Sequence, residues 1–266
     1  MKASKDISDT YGYDTAINVI GGLKDISVIF NVIESHFRYD DSVSDLVAIR
    51  NELNLRTEKS RVRVERAVVK AFLQFTGQAH EDLIRNIFQT NMPLQDKELV
   101  LYWQLALSNR LFREITINVY SKIYFSGRAG LSKEDVIAYL KDFLAQSKHL
   151  NLGWSESTIK TLSTKYLNLM TKLNFLTGSR IKSFRHIKTS TEALILFLYF
   201  ARLYSPLMRN ILKNEMIPLS FLLPEDIKER LKKLSVKGLF QMELPGDAVN
   251  IYLTHSFSEI SHALYN

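Results

Sequence analysis

Lys59, Arg63, Arg66 and Lys70 recur at intervals of four, three and four residues. On an α-helix that spacing gathers all four on one face, and a row of long cations can neutralise a run of phosphates. Further along, Ser157, Thr161, Thr164, Lys165, Asn168 and Lys172 share one face of a second predicted helix, with Lys160 on the same segment. Arg180, Lys182, Arg185, His186 and Lys188 follow it directly. Hydroxyl and amide side chains can hydrogen-bond base edges, while lysine and arginine take phosphates. The chemistry these residues support is recognition of a nucleic acid.

Other chemistries lack their parts. The chain has no Gly-rich phosphate loop, dinucleotide fingerprint, nucleophile elbow or zinc-protease histidine pair. Without cysteine it has no thiol nucleophile, thiolate metal site or disulfide. His255 and His262, and the acidic group Asp40, Asp41 and Asp45, were the places to look for a metal. Scattered surface histidines account for the first pair. Carboxylates drawn to a helix N-terminus account for the second. Neither an enzyme nor a cofactor is expected.

The charge distribution sharpens the two windows. The chain carries 35 basic and 28 acidic residues, net +7. Residues 55–76 hold six basic and two acidic residues, and residues 151–190 hold seven and one, whereas residues 1–54 hold five and nine. In the first window Arg56 and Arg61 stand at the start of the ridge. Its centre lies roughly 200° round the helix from an apolar stripe of Val64, Val68, Ala71, Phe72 and Phe75. A solvated face usually mixes signs, and only Glu58 and Glu65 dilute this one.

These residues need helices to hold them, and the apolar periodicity supplies many. Helices are expected over 23–35, 43–54, 58–76, 81–89, 94–126 with an interruption near Ser108-Asn109, 132–147, 156–174, 191–204 and 225–234. Gly77 is expected to end the basic helix in a left-handed conformation. The aromatics Tyr102, Trp103, Phe112, Tyr120, Tyr124 and Phe125 fall on helices and read as core. The period changes near the end, where Leu239–Leu244 and Ala248–Thr254 flank Pro245-Gly246-Asp247 as a hairpin. A helix followed by a basic, extended segment over 180–188 is the order of a winged helix-turn-helix. The expected fold is therefore mainly α, a multi-helix bundle with winged-helix-like elements and a small C-terminal β-hairpin. Its expected organisation is a flexible N-terminus (1–14), a helical domain with the basic helix (15–150) and a winged-helix-like domain with the hairpin (151–266). The run Ala193–Ala201 is too short to span a bilayer, which needs about 20 residues, and no membrane association is expected. The opening residues have no apolar core of a signal peptide, so a cytoplasmic protein is expected.

Leu152-Gly-Trp-Ser-Glu-Ser-Thr-Ile-Lys-Thr-Leu162, followed by Asn168-Leu-Met-Thr-Lys-Leu-Asn-Phe-Leu176, resembles the Trp-Ser-x-x-Thr-x-x-Lys helix region of BrxA proteins. Gly21-Gly22-Leu23 is similar to that family's N-terminal entry. Arg56-Thr-Glu-Lys-Ser60 is similar to its Arg-[Ser/Thr]-x-x-Ser segment, and Tyr102-Trp103 with Phe112-Arg-Glu-Ile115 to its middle. The likeness covers about residues 11–180. It departs at Lys172-Leu-Asn-Phe175, where the family has acidic or small residues, and it does not reach the C-terminal third. BrxA proteins are components of the BREX phage-exclusion systems and are described as NusB-like. The resemblance implies a mainly α, cytoplasmic, non-enzymatic protein that binds DNA in phage defence. Duplex DNA is then the expected partner, with RNA and other BREX components as alternatives. Arg56, Lys59, Arg63, Arg66, Lys70, Lys160, Lys165, Arg180, Lys182, Arg185 and Lys188 are the expected phosphate contacts. Thr161, Thr164 and Asn168 are the candidates for base edges.

Overall fold

The computed structural model describes residues 12–266. Of the N-terminus expected to be flexible, residues 1–11 lie outside the described part. Tyr13 and Asp14 are held instead. The Tyr13 hydroxyl donates to Glu114 Oε1 at 3.1 Å, and Asp14 Oδ1 accepts from Ala16 N at 2.7 Å and Asn109 Nδ2 at 3.0 Å.

In chain order the elements begin with α1 (Ala16–Ile20), α2 (Ser27–Tyr39), a π-helical turn (Asp45–Ile49), α3 (Glu58–Phe72), α4 (Gln78–Gln89) and α5 (Leu94–Ser108). Then come α6 (Arg110–Ile115), a second π-helical stretch (Thr116–Ser121), α7 (Lys122–Phe125), β1 (Gly130–Leu131), α8 (Lys133–Gln146) and α9 (Glu156–Lys172). β2 (Leu176–Thr177), β3 (Lys182–Phe184), α10 (Thr191–Tyr204), α11 (Pro224–Leu234), β4 (Phe240–Glu243), β5 (Asn250–Leu253) and α12 (Ile260–Tyr265) complete the chain. The protein is mainly α, with small antiparallel strand pairs. The C-terminal hairpin forms where expected, with Phe240 opposite Leu253 and Glu243 opposite Asn250. Gly246 takes φ 62° in its turn, a conformation that costs glycine little.

Local chemistry sets the helix starts. The side chains of Thr57, Asn109, Ser132, Ser155 and Ser190 each accept a backbone N–H of the first turn that follows. Ser132 and Asp135 complete a reciprocal capping box on α8. Asn109 at φ −124° is the interruption expected in the long helical stretch. The basic helix stops at Phe72, earlier than expected, and Gly77 is extended at φ 165° rather than left-handed. Phe75 therefore leaves the stripe and meets the His80 ring edge-on at 5.2 Å.

The chain divides into two compact units that interleave along the sequence. One is built from residues 12–74 and 108–187, the other from 75–107 and 188–266 of the described chain. This differs from the consecutive division at 150 expected from the sequence. Helices α8 and α9, on either side of that point, pack on each other within the first unit.

In the first unit α9 also packs on α1. The close approach explains Gly21: a Cβ there would stand 2.2 Å from the carbonyl oxygen of Lys165. Lys172 Nζ donates to the carbonyls of Gly21, at 3.1 Å, and Leu23. The unit's sheet runs β1-β3-β2, all antiparallel, with Gly130 opposite Ser183 and Leu176 opposite Phe184.

In the second unit Trp103 is fully buried between Phe197 and Phe200, and its Nε1–H donates to the Leu219 carbonyl at 2.9 Å. The run Ala193–Ala201 is buried throughout, as read from the sequence. No helix among the described residues is long and apolar enough to cross a membrane. Nor does any group of three ligating side chains that could hold a metal occur among them.

Candidate nucleic-acid interface

The α3 ridge forms as its spacing dictates. Val64, Ala67, Val68, Ala71 and Phe72 are buried, while Lys59, Arg63, Arg66 and Lys70 are exposed. Arg56 precedes the helix and is exposed. Acidic neighbours temper the ridge. Lys70 Nζ lies 3.5 Å from Asp14 Oδ2. Arg63 borders a depression of about 610 Å³ whose rim also holds Asp25 and Glu52. Residues 12–74 contain nine basic and nine acidic residues, so the ridge belongs to a segment of zero net charge.

The second window sits in a different field. Residues 108–187 carry thirteen basic residues against five acidic ones. Helix α9 starts at the Ser155 cap and buries Ile159, Leu162, Tyr166, Leu169 and Met170. Its outward side holds Thr161, Thr164 and Asn168. The expected basic extension is a real β-hairpin, β2–β3, whose base is locked. Leu176 is buried, and the Phe184 ring stands edge-on to Tyr120 at 5.1 Å and Tyr124 at 5.4 Å. Tyr120 in turn donates to the Phe175 carbonyl at 3.1 Å. Gly178 turns the chain at φ 93° where a Cβ would meet the Ile181 carbonyl at 2.2 Å, and Lys182 Nζ closes the turn on the Gly178 carbonyl at 2.7 Å.

Between this hairpin, the start of α8 and α9 lies an open groove of about 720 Å³. Thr164, Asn168, Arg180 and Lys182 line it, and so do Arg128 and Lys133. The structure therefore brings four of the fourteen residues expected from the sequence into one concave site. It adds two cations that the sequence reading missed. Antiparallel pairing of β1 with β3 carries Arg128 and Lys133 there, and the local sequence has no signal for that except Gly130. A Cβ at Gly130 would stand 2.1 Å from the Lys182 carbonyl oxygen. Arg128 also holds both Asp135 oxygens at 3.0 Å, so it already has one anion partner. Burial pulls the Lys182 ammonium below its ordinary pKa.

The remaining candidates are dispersed. Thr161 donates its hydroxyl to Ser157 O at 2.8 Å and Thr164 donates to Lys160 O at 2.9 Å, so neither proton points to a partner outside the helix. Lys165 lies on the α1 side of α9, its Nζ beside Gly22. Lys160 is exposed one turn from Glu156, whose carboxylate is held low by Lys141 first and by Lys160 less. Arg185 donates to Asn174 Oδ1 at 2.8 Å. Lys188 is exposed and belongs to the other unit, where its carbonyl accepts from Gln95 Nε2 at 3.0 Å.

Of the residues weighed for a metal, Asp41 pairs with Arg50 at 2.8 Å and Asp45 accepts from Ser42 Oγ at 2.8 Å. His262 Nε2 contacts Asn86 Oδ1 at 3.1 Å. Tyr102, Trp103, Phe112 and Tyr120 are buried as core, while Phe125 is partly exposed.

The unit of residues 12–74 and 108–187 thus joins helices, a small antiparallel sheet and an open groove lined by Arg128, Lys133, Arg180 and Lys182 with Glu134, and the protein is mainly α with a surface rather than an enclosed pocket as its candidate site. The BrxA family model matches residues 29–202, and the chain belongs to that family. The match takes in α3, α9 and the β2–β3 hairpin and ends within α10, short of the C-terminal hairpin. No curated protein matches the chain.

Proposed function

We propose that this protein is a non-enzymatic, cytoplasmic component of a BREX-type phage-defence system that binds duplex DNA. The observation that carries the reading is the groove, where α9 and the β2–β3 hairpin face each other across Arg128, Lys133, Arg180 and Lys182. Helix, strand, helix, helix, strand, strand, with the sheet ordered β1-β3-β2, is the order of a winged helix-turn-helix, in which the last helix reads bases and the hairpin is the wing. An α-helix fits the major groove, about 12 Å wide, and the cations beside it suit the adjoining phosphates. Membership of the BrxA family supports the defence role.

The test is binding to duplex DNA, single-stranded DNA and RNA across a salt titration. Neutralising roughly five to eight phosphates gives a log–log slope of about −4.5 to −7 on duplex. A flat salt response, or no binding at about 50 mM salt, sinks the electrostatic reading. Tighter binding of RNA would favour a NusB-like role. Basic faces that dock an acidic component of the defence complex are the second reading, favoured if charge removal breaks that association and leaves DNA binding intact.

A further inference from the structure

Among the described residues β4 pairs only with β5, so one edge of that strand is open. The far side of β5 is taken by residues 209–211. There Ile251 N donates to Arg209 O at 3.1 Å and Ile211 N donates to Val249 O at 2.9 Å. Those two bonds fix the parity of the ladder. The Ile251 N–H points away from β4, so Ile251 and Met242 form a non-hydrogen-bonded pair. The backbone N–H and C=O of Met242 therefore face the open edge. Alternation turns those of Phe240 the same way, and Leu244 continues the series.

Native sheets usually blunt such an edge with lysine, proline or a bulge. β4 reads Phe-Gln-Met-Glu and runs in unbroken register with β5. What its edge offers is self-complementary. A two-fold axis through Met242, perpendicular to the sheet, sets β4 antiparallel to β4 of a second copy. Met242 then pairs with Met242 of the copy, and Phe240 with Leu244, so every outward backbone group finds a partner. On the exposed face Gln241 stands opposite Glu243, an amide donor against a carboxylate. Tyr252 Oη already donates to Glu243 Oε2 at 2.8 Å, which leaves the other oxygen to the amide. On the other face Leu244, 43% exposed, comes beside Phe240 of the copy. The neighbouring registers are poorer. One sets Glu243 against Glu243, and the other carries Leu244 past the end of the strand. We propose that the β4 edge joins two copies of this chain in an antiparallel pairing centred on Met242. The contact is small, so the dimer is reversible, with a Kd on the order of 100 µM.

The chain has no cysteine, so one introduced thiol reports the geometry. In this pairing the two Met242 Cα atoms lie about 5.5 Å apart, within disulfide reach, while the two Gln241 Cα atoms lie on a diagonal beyond about 7 Å. Mild oxidation of the full chain should therefore crosslink Met242→Cys about tenfold faster than Gln241→Cys, although Gln241 is the more exposed residue. Sedimentation velocity gives the second readout. Met242→Pro removes an outward N–H and leaves the β4–β5 hydrogen bonds in place, so it should stay monomeric. Gln241→Lys sets opposite charges across the pair and should tighten the dimer about threefold, while Gln241→Glu should weaken it about as much. An unsubstituted chain that is monomeric at about 1 mM overturns the proposal and leaves the edge to a different protein. So does a dimer that survives Met242→Pro, and so does faster crosslinking through Gln241→Cys. If Met242→Pro fails to fold, the two Gln241 variants decide, and equal dimerisation of both overturns the pairing.

Discussion

Residues 75–107 and 188–266 carry eleven basic residues against twelve acidic ones, whereas residues 12–74 and 108–187 carry twenty-two against fourteen. The whole positive excess of the chain thus belongs to one compact unit. The near-neutral unit, like the other, buries polar groups inside an apolar frame. His80 and Gln104 meet there at 2.6 Å between Nε2 and Oε1, and Asp96 accepts from Ser190 Oγ at 2.9 Å and Tyr265 Oη at 3.0 Å. The contrast teaches that overall basicity is a poor guide to where a partner binds. Net charge becomes informative only once the units are known, because interleaved segments share a surface that no continuous window contains.

If the near-neutral unit depends on its buried groups, the largest effect should come from His80. Burial pushes its pKa down from 6.5 to about 4, against a smaller opposing effect of the hydrogen bond with Gln104. The folded state then binds fewer protons than the unfolded one between those values. This contribution is fully present above pH 6.5 and is lost as pH falls towards 4, for a total of about 3 kcal/mol. Trp103 reports on this unit. Trp154→Phe removes the other tryptophan and leaves Trp103 as the sole reporter. Urea unfolding of that form, with and without His80→Gln, should show the loss only where His80 is present. Parallel losses in the two proteins would remove His80 as the cause.

The charged unit should respond to salt and to cation removal. Lys133→Ala with Arg180→Ala removes two groove cations without touching the pair of Arg128 with Asp135. Two lost phosphate contacts should weaken duplex binding about fiftyfold at 0.1 M salt and flatten the log–log slope by roughly 2. Arg63→Ala with Arg66→Ala should cost less, about threefold, because acidic neighbours in residues 12–74 already offset the α3 ridge. Equal losses for the two pairs would show that one duplex contacts both, as the sequence alone suggested. A larger loss for the ridge pair would move the interface off the groove.

How much of this was legible beforehand depended on sequence distance. The helix starts near Glu58, Ser132 and Glu156, the break at Asn109 and the terminal hairpin were readable because their chemistry lies within a few residues. The early end of α3 and the extended Gly77 were not, since Phe75 leaves the stripe and meets the His80 ring instead. The α9 and hairpin part of the site was readable as a basic window. Arg128 and Lys133 were not, because strand pairing at Gly130–Ser183 brings them in from outside it. Lys188 shows the converse. It continues the basic run in sequence, yet the unit changes between Ile187 and Lys188.

The smallest expected effect separates two residues that the sequence treated alike. Thr161 and Asn168 both sit on the outward side of α9 and carry no charge, so neither substitution should move the salt slope. They differ in what they can offer. The Thr161 hydroxyl is committed to the Ser157 carbonyl and does not line the groove, whereas Asn168 lines it and its amide can both donate and accept. Thr161→Ala should therefore leave affinity within about twofold on every duplex. Asn168→Ala should lose about tenfold on preferred sites and almost nothing on others, as expected for one lost base contact. Competition between a selected site and random duplex reads the difference directly. Should Thr161→Ala erase preference while Asn168→Ala does not, the base-reading face of α9 points away from the groove. The phosphate strand would then have to run along the α1 side, past Lys165.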